Sequence, residues 1–561
     1  MPHPLLRLAP LFRGRLGLLS AAVLGLIGAT ALNLTGPWLI AQAVDVDLAA
    51  GDREGLMWKA GIFALILLGN LGLTYLSRVA IEICAQRAMK RLKHELFDHL
   101  VEHDLALHDK QTSGRLITRV QGDTDALRVL FTEVILNLPA DILLFVGMFA
   151  VMFHAAPEIA PICAAVLPFY LVLFALFRKI APRHFLALRA VKSSLTGLLT
   201  ELVRAMPTVR GFRREAWARE RSEELNQEVF RKEWVAHVQP VWYFNSVVLV
   251  RSLGMVALLV IGAWKLDAGV LTVGALIMGL GYLRQMFHPL IRLSHHLSTL
   301  ERARAAAIRL SELLDTPRSI TNPVRPVAWP GVRQSLRLDD VAFHYVEGTP
   351  VLRGLSLEVP AGRHIGIVGA TGAGKSTVLN LLLRFRDPTS GAVRIDGIDL
   401  RELAVEDLRT RIGLVLQDVH LFAGTVLDNL GGDAQKARRA LATLGLDMPL
   451  EHLLRDGGSN LSRGERQLLT FARAIVDDPE VLVLDEATSA VDPETEALVQ
   501  DALSKLMDGR TVITVAHRLQ TVRDCDAIAV LRAGVVEEHG THDELLARGG
   551  LYAALHQLQA A

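Results

Sequence analysis

Residues 364–385 read HIGIVGATGAGKSTVLNLLLRF. The apolar run Ile365–Val368 predicts a buried strand, and the Leu-rich tail predicts a helix. Between them, Gly369-Ala370-Thr371-Gly372-Ala373-Gly374-Lys375-Ser376 satisfies GxxxxGK[ST]. Glycines at that spacing let backbone N–H groups close around phosphates, and the helix N-terminus adds its dipole. In such a loop Lys375 reaches the terminal phosphates, and the Ser376 hydroxyl can bind Mg²⁺.

Two later stretches belong to the same chemistry. Val481–Leu484 predicts a second buried strand, ending in Asp485-Glu486. A carboxylate at that strand end can hold Mg²⁺ through water, and Glu486 beside it can act as a general base. Between the two strands lies LSRGERQLL, where Ser462 is placed to cap a helix whose free N–H groups form a second phosphate site.

Around this core, residues 336–561 alternate short β-branched runs, glycine turns and charged helices, as a soluble α/β domain does. The segment 315–335, DTPRSITNPVRPVAWPGVRQS, carries four prolines and little periodicity and reads as an extended linker. Residues 1–314 differ in kind. Long apolar runs predict six spanning helices near 16–42, 57–84, 129–154, 158–181, 240–264 and 269–293. The first could be a signal peptide, since Ala41-Gln42-Ala43 resembles a cleavage site. It is too long for one, and five further spans follow.

Composition agrees. The 561 residues are 51% hydrophobic, with mean hydropathy +0.32, which argues against a disordered chain or a purely soluble enzyme. Lys plus Arg is 60 against 59 for Asp plus Glu, which gives no support for nucleic acid as a partner. Cys84, Cys163 and Cys525 are odd in number and far apart, so no disulfide framework is implied. Arg7, Arg13 and Arg15 precede the first span, and the segments 85–128 and 182–235 are rich in Lys and Arg. That bias puts the N-terminus, both long segments and the nucleotide domain in the cytosol.

Ionisable residues inside spans are costly and mark polar pathways or partners. Arg78 and Glu82 are four apart and are expected to pair. Asp141 and Arg251 fall near mid-span. They are expected either to face a substrate pathway or to form an ion pair that only fixes packing.

The P-loop, LSRGERQ, VLVLDEATSAVD and TVAHR, in this order, resemble the ATP-binding cassette (ABC) transporters. IGLVLQDVHLFAGTVLDNL looks like the Gln-loop of their exporters, QTSGRLITRVQGDTDAL like their first intracellular loop, and LTVGALIMGLGYLRQMFHPL like their sixth span. The resemblance covers nearly the whole chain. It implies a six-helix α-helical membrane domain of exporter type fused to an α/β P-loop nucleotide-binding domain. It also implies an ATPase that exports a small molecule, lipid or peptide by alternating access, with ATP and Mg²⁺ bound.

Residue by residue, the resemblance implies that Tyr345 stacks on adenine and that Thr371, Gly372, Ala373, Gly374, Lys375, Ser376 and Thr377 hold ATP. Ser376, Gln417 and Asp485 would hold Mg²⁺, with Gln417 also sensing the γ-phosphate. Glu486 would be the catalytic base, and His517 would hold the γ-phosphate and the attacking water. Asp492 would bridge two cassettes, and Ser462 and Gly464 would contact ATP bound on the opposite cassette. Stretches around 108–125 and 205–220 would couple spans to cassettes.

A chain with one membrane half and one cassette must pair with another half-transporter. The family signature is usually Leu-Ser-Gly-Gly-Gln; here Arg463 replaces the first glycine and Glu465 the glutamine. Arg463 is bulky where close approach is usual, and Glu465 is expected to bring negative charge near phosphates. That split resembles one member of a heterodimeric exporter, which we favour over a homodimer. An ATP-gated channel or a regulator on the same scaffold is the alternative; complete Walker and His motifs favour a pump. Importers normally keep spans and cassette on separate chains. No peptidase domain precedes the first span, so processing of leader peptides is not expected. The expected location is the bacterial cytoplasmic (inner) membrane, multi-pass, and the substrate is not legible.

Overall fold

The computed structural model of the protein describes residues 16–485, 493–516 and 519–560. The chain divides into two units: Met1–Val101 with Ser113–Thr316, and Glu102–Thr112 with Pro317–Ala561.

Among the described residues, the first unit is built on six long helices: Leu16–Gln42, Arg53–Glu102, Ile135–Ala155, Leu167–Arg204, Glu215–Asp267 and Val273–Leu314. Two of them run to 50 and 53 residues. At 1.5 Å per residue each is about 75–80 Å long, more than twice the hydrocarbon thickness, so they continue well beyond it. By length and composition, five helices of this unit can cross a membrane. Val273–Leu314 lies on the sixth predicted span but is less apolar, because Arg284-Gln285 and His288 interrupt its run.

The helices pack through a core that includes Met148, Met152, Ile159, Leu258, Tyr282 and Phe287. Buried hydroxyls are paired with neighbouring backbones, as a lipid-embedded bundle requires. Tyr282 donates to the Leu34 carbonyl and Tyr170 to the Leu290 carbonyl, each at 2.6 Å. Asp45 ties the first connection to the sixth helix, accepting from the Thr272 hydroxyl (2.6 Å) and the Gly274 N–H (2.7 Å). The expected Arg78–Glu82 pair is not formed. Glu82 instead accepts from Gln86 at 2.7 Å and from Arg128 at 3.3 Å. Asp125, at 2.9 Å, already orients the Arg128 guanidinium.

In the second unit, β1 (Ser335–Val346), β2 (Thr349–Pro360), β4 (Ser390–Ile395) and β5 (Ile398–Asp399) form a sheet ordered β2-β1-β4-β5. The larger sheet is ordered β12-β11-β3-β10-β9-β6. Its strands are β3 (His364–Gly369), β6 (Ile412–Val415), β9 (Val481–Asp485), β10 (Thr511–Val515), β11 (Ala527–Arg532) and β12 (Val535–Gly540). The first five of these pair in parallel, and β12 is antiparallel. The two sheets share one core, in which Leu336, Val359, Ile367, Val378 and Val483 are buried. A pair of two-residue strands, β7 (Gly424–Thr425) and β8 (Leu453–Leu454), belongs to a separate core that includes Leu421, Leu469 and Phe471.

The proline-rich stretch is less free than its composition suggests. Val327 bridges Leu403, and the Trp329 indole donates to Glu480 at 3.0 Å. Asp396 accepts from the N–H groups of Arg333, Gln334 and Ser335. Residues 327–335 are thus fastened to the nucleotide unit by backbone donors and one indole, a kind of tie that composition does not reveal.

Candidate functional site

A parallel sheet presents its strand ends together, and that edge is where such folds bind ligands. Register settles which residues meet there. Ile367 on β3 lies opposite Val515 on β10, and Val515 lies opposite Asp485 on β9. Leu484 in turn lies opposite Val415 on β6. The carboxyl ends of four adjacent strands therefore open into the P-loop, Ala516, Asp485 and, two residues past β6, Gln417. Residues separated by more than 130 positions in sequence line one edge because crossovers return each strand in the same direction.

The loop after β3 demands glycine where the backbone comes closest to its neighbours. A Cβ on Gly369 would lie 2.4 Å from the Leu531 carbonyl oxygen. Gly374 has φ +105° and sits against Leu352, 2.7 Å from where a Cβ would stand. From Gly374 the helix Lys375–Leu382 begins. Lys375 is 5% exposed, with its ammonium folded into its own loop, donating to the carbonyls of Gly369 (2.8 Å) and Ala370 (3.2 Å). An ammonium inside a glycine-bounded loop can meet the phosphate of a bound nucleotide. Ser376 is exposed in the first helical turn and Thr377 is buried beneath it. Backbone donors, a cation and a hydroxyl at one helix tip are the groups that a polyphosphate with its divalent cation requires.

Tyr345 stands beside this loop at the end of β1. Its hydroxyl meets Thr377 Oγ1 at 3.3 Å and accepts from Asn380 at 3.1 Å. Phe343 packs edge-on against its ring, Arg386 lies over the ring at 5.6 Å, and 45% of the residue remains exposed. The ring is therefore held in place and half open.

Ser462 is the N-cap of the helix Arg463–Ile475 and accepts from the Glu465 N–H. The Glu465 carboxylate reaches back and accepts from the Ser462 N–H at 2.7 Å, closing a reciprocal capping box. That backbone bond holds the Glu465 carboxyl below the usual carboxylate range. Glu465 was expected to point its charge at phosphates; the structure turns it onto its own helix. Gly464 is buried in the first turn. A cavity of about 310 Å³ separates the start of this helix from the stretch after β6; Gln417, Asp418, Arg463 and Arg466 line it. Glu486, Asp492 and His517 lie outside the described residues.

The short helix Leu105–Lys110 and its flanks belong to the nucleotide unit rather than to the helices they connect. Asp104 accepts from the N–H and hydroxyl of Ser319 and from the Ile320 N–H. Burial pushes its carboxyl up, but the hydrogen bonds from Ser319 and Ile320 outweigh this and hold it below the ordinary range. Asp109 pairs with Arg386, whose guanidinium also covers Tyr345. The second expected coupling stretch starts with the helix Met206–Gly211.

Of the two mid-span charges, Asp141 is buried and held by Arg292 and by His296 Nε2 at 3.2 Å, not by Arg251. Arg251 lines a cavity of about 410 Å³, and its buried Nε has no hydrogen-bond partner among the described residues. Sequence reasoning passed over Arg284, His288 and Arg292, although their spacing of four on an otherwise apolar helix marks a single face.

Two family descriptions match the chain: "ABC transporter transmembrane region" over residues 19–290 and "ABC transporter" over 352–489. A probable multidrug resistance ABC transporter ATP-binding/permease protein of Bacillus subtilis is 32% identical over 91% of this chain and 77% of its own length. A fatty acid ABC transporter ATP-binding/permease protein of Mycobacterium tuberculosis is 35% identical over 90% of this chain and 81% of its own. An ATP-dependent lipid A-core flippase of Syntrophus aciditrophicus is 30% identical over 99% of this chain and 94% of its own. A solved bacterial Atm1-family ABC exporter with ATP bound superposes with a TM-score of 0.79 at 26% identity, covering 97% of this chain and 98% of that one.

Proposed function

The chain belongs to the ABC transporter family, and from that premise we propose how its own residues drive transport and with what partner. It is a multi-pass membrane protein that couples ATP hydrolysis to export as one half of a dimeric exporter. The observation that carries the mechanism is the buried Lys375 ammonium folded into a glycine-bounded loop at the edge shared with Asp485 and Gln417.

In the proposed mechanism, the N–H groups of residues 371–377 and Lys375 bind the phosphates of ATP, and Tyr345 stacks on adenine. Ser376, Gln417 and Asp485 would hold Mg²⁺, which when bound neutralises charge on the phosphate oxygens. Glu486 takes the proton from the attacking water, and His517 orients that water and the γ-phosphate. Ser462 and Gly464 of one cassette contact ATP held by the other, and Asp492 bridges the two. Joining and parting of the cassettes moves the coupling segments, and rigid helix bundles turn with them. The residues Leu105–Lys110, tied to the nucleotide unit through Asp104, are the proposed lever on this chain.

The partner proposed is a second, different half-transporter. Glu465 gives no support to that choice, because its capping box is one that a glutamine also makes. The support comes from Arg463, a long cation in the place of a glycine. The proposed location is the cytoplasmic (inner) membrane, with the cassette in the cytosol.

The test is Mg²⁺-dependent ATP turnover by this chain alone in lipid nanodiscs, with Glu486→Gln as the blank. A folded, ATP-binding chain without turnover supports a heterodimer. Turnover lost in the blank supports the catalytic roles and assigns a homodimer instead. Turnover retained in Glu486→Gln would overturn Glu486 as the base.

A further inference from the structure

Two cavities in the membrane unit adjoin each other. One, of about 410 Å³, is lined by Arg251, His288 and Arg292 together with apolar Leu144, Phe244, Val247 and Phe287. The other, of about 370 Å³, is lined by Arg284 and His288 among apolar residues such as Phe63 and Ile66. They share Asn33, Gln285 and His288, so they are compartments of one space. Their volumes fall in the range of small-molecule sites.

The charge of this space is one-sided. Among the described residues, no aspartate or glutamate lines either cavity. Among the described residues, the acid paired with a lining residue is Asp141, and it is committed to Arg292 and His296. Arg251 and Arg284 have no carboxylate partner among the described residues. Among the described residues, Arg251 also has no acceptor for its buried Nε, and Gln285 no donor for its buried carbonyl oxygen. Both arginines lie on stretches predicted to span the membrane, where an uncompensated charge is expensive and marks a functional partner. The polar residues that lower the hydropathy of the sixth helix are the ones that line this space, so their cost is concentrated at one place.

We infer that this space takes an amphiphile with an anionic headgroup, a carboxylate or a phosphate, and an apolar tail. The headgroup accepts from Arg251 and Arg284, the Gln285 and Asn33 amides complete its polar shell, and the tail lies against the apolar lining. This rests on the export reading and names the substrate class for it. Arg292 is excluded from headgroup binding because Asp141 neutralises it.

The test uses the full chain in nanodiscs of zwitterionic phosphatidylcholine at pH 8, without nucleotide, with empty nanodiscs as blank. Saturable binding is measured for dodecyl phosphate and dodecanoate, with dodecyl maltoside and dodecyltrimethylammonium as neutral and cationic controls. The inference expects both anions to bind at one site and to compete, with affinity falling about tenfold or more in Arg251→Gln and Arg284→Gln. Arg251→Lys, which keeps the charge, should recover most of that loss. Controls that bind as tightly as dodecyl phosphate would overturn it. So would unchanged affinity in an Arg251→Gln/Arg284→Gln variant that still binds ATP. Displacement of dodecyl phosphate by an equal concentration of inorganic phosphate would reduce the space to a small-anion site and overturn the amphiphile. The export reading fails separately, on absence of Glu486-dependent turnover in the chain and its assembled dimer, which leaves the binding result untouched.

Discussion

Replacing Glu465 by alanine and by glutamine separates two meanings of that carboxylate. In the structure it accepts from the Ser462 N–H at 2.7 Å and caps the helix Arg463–Ile475. Alanine removes a charge-assisted bond at a helix N-terminus, a loss of about 1.5 kcal/mol. In a unit of this size about 1 kcal/mol moves the midpoint by about 2–4 °C, so Glu465→Ala should unfold about 3–6 °C lower. Glutamine keeps the acceptor and loses only the charge near the helix dipole, about 0.5 kcal/mol or about 1–2 °C. The assay is calorimetry of the full chain in nanodiscs at one scan rate, beside ATP turnover of the assembled dimer. Turnover of Glu465→Gln should stay within about threefold of the parent, since the charge faces its own helix. The pH dependence follows from the sign of the shift. The folded carboxyl sits below its unfolded value, so its contribution is present near neutrality and is lost as pH falls through the folded value. The gap between parent and Glu465→Gln should therefore narrow as pH falls below the ordinary carboxylate range and close once it has passed the folded value. A tenfold rise in turnover for Glu465→Gln, about 1.4 kcal/mol of barrier, with no change in unfolding, would refute the capping account and put the carboxylate against phosphate.

Lys375→Ala should lower ATP turnover by about 10²–10³-fold in the assembled dimer. Gly374→Ala should weaken binding of fluorescent ATP, because its positive φ and contact with Leu352 leave no room for a methyl group. Asp104→Ala should speed amide exchange at Ser319 and Ile320 about tenfold, read by mass spectrometry. In the parent, the same exchange should rise as pH drops below about 4, after correction for intrinsic rates, since that carboxyl is also held low. Asp141→Asn and Arg292→Gln should each destabilise the membrane unit, and the double variant should lose about 1–2 kcal/mol less than their sum. Strict additivity would show that the pair is not coupled.

The nucleotide-binding motifs were legible in the sequence because their chemistry is local. A strand, a glycine loop and a helix tip make a phosphate cradle from fifteen or so consecutive residues, with positions set by backbone geometry alone. The spans were legible for a similar reason, since each run must be apolar over a bilayer's thickness whatever it packs against. The sixth was the weakest, and Arg284, Gln285 and His288 explain why.

Partnership was not legible. Spacing paired Arg78 with Glu82 and left Asp141 and Arg251 as candidates for one another. The helices instead place Arg128 on Glu82, and Arg292 with His296 on Asp141, across 46 to 155 residues of chain. Glu465 was expected to aim its charge at phosphates, and the unsatisfied N–H groups of its own helix turned it back instead. The residues of this protein determine by themselves which segments carry the glycine-loop pattern of a nucleotide domain and which are apolar enough to cross lipid, because those demands act along the chain. Which charge meets which, and which is left facing a cavity, is decided only when helices distant in sequence pack, because an ion pair depends on a few ångströms in space that spacing along the chain does not record.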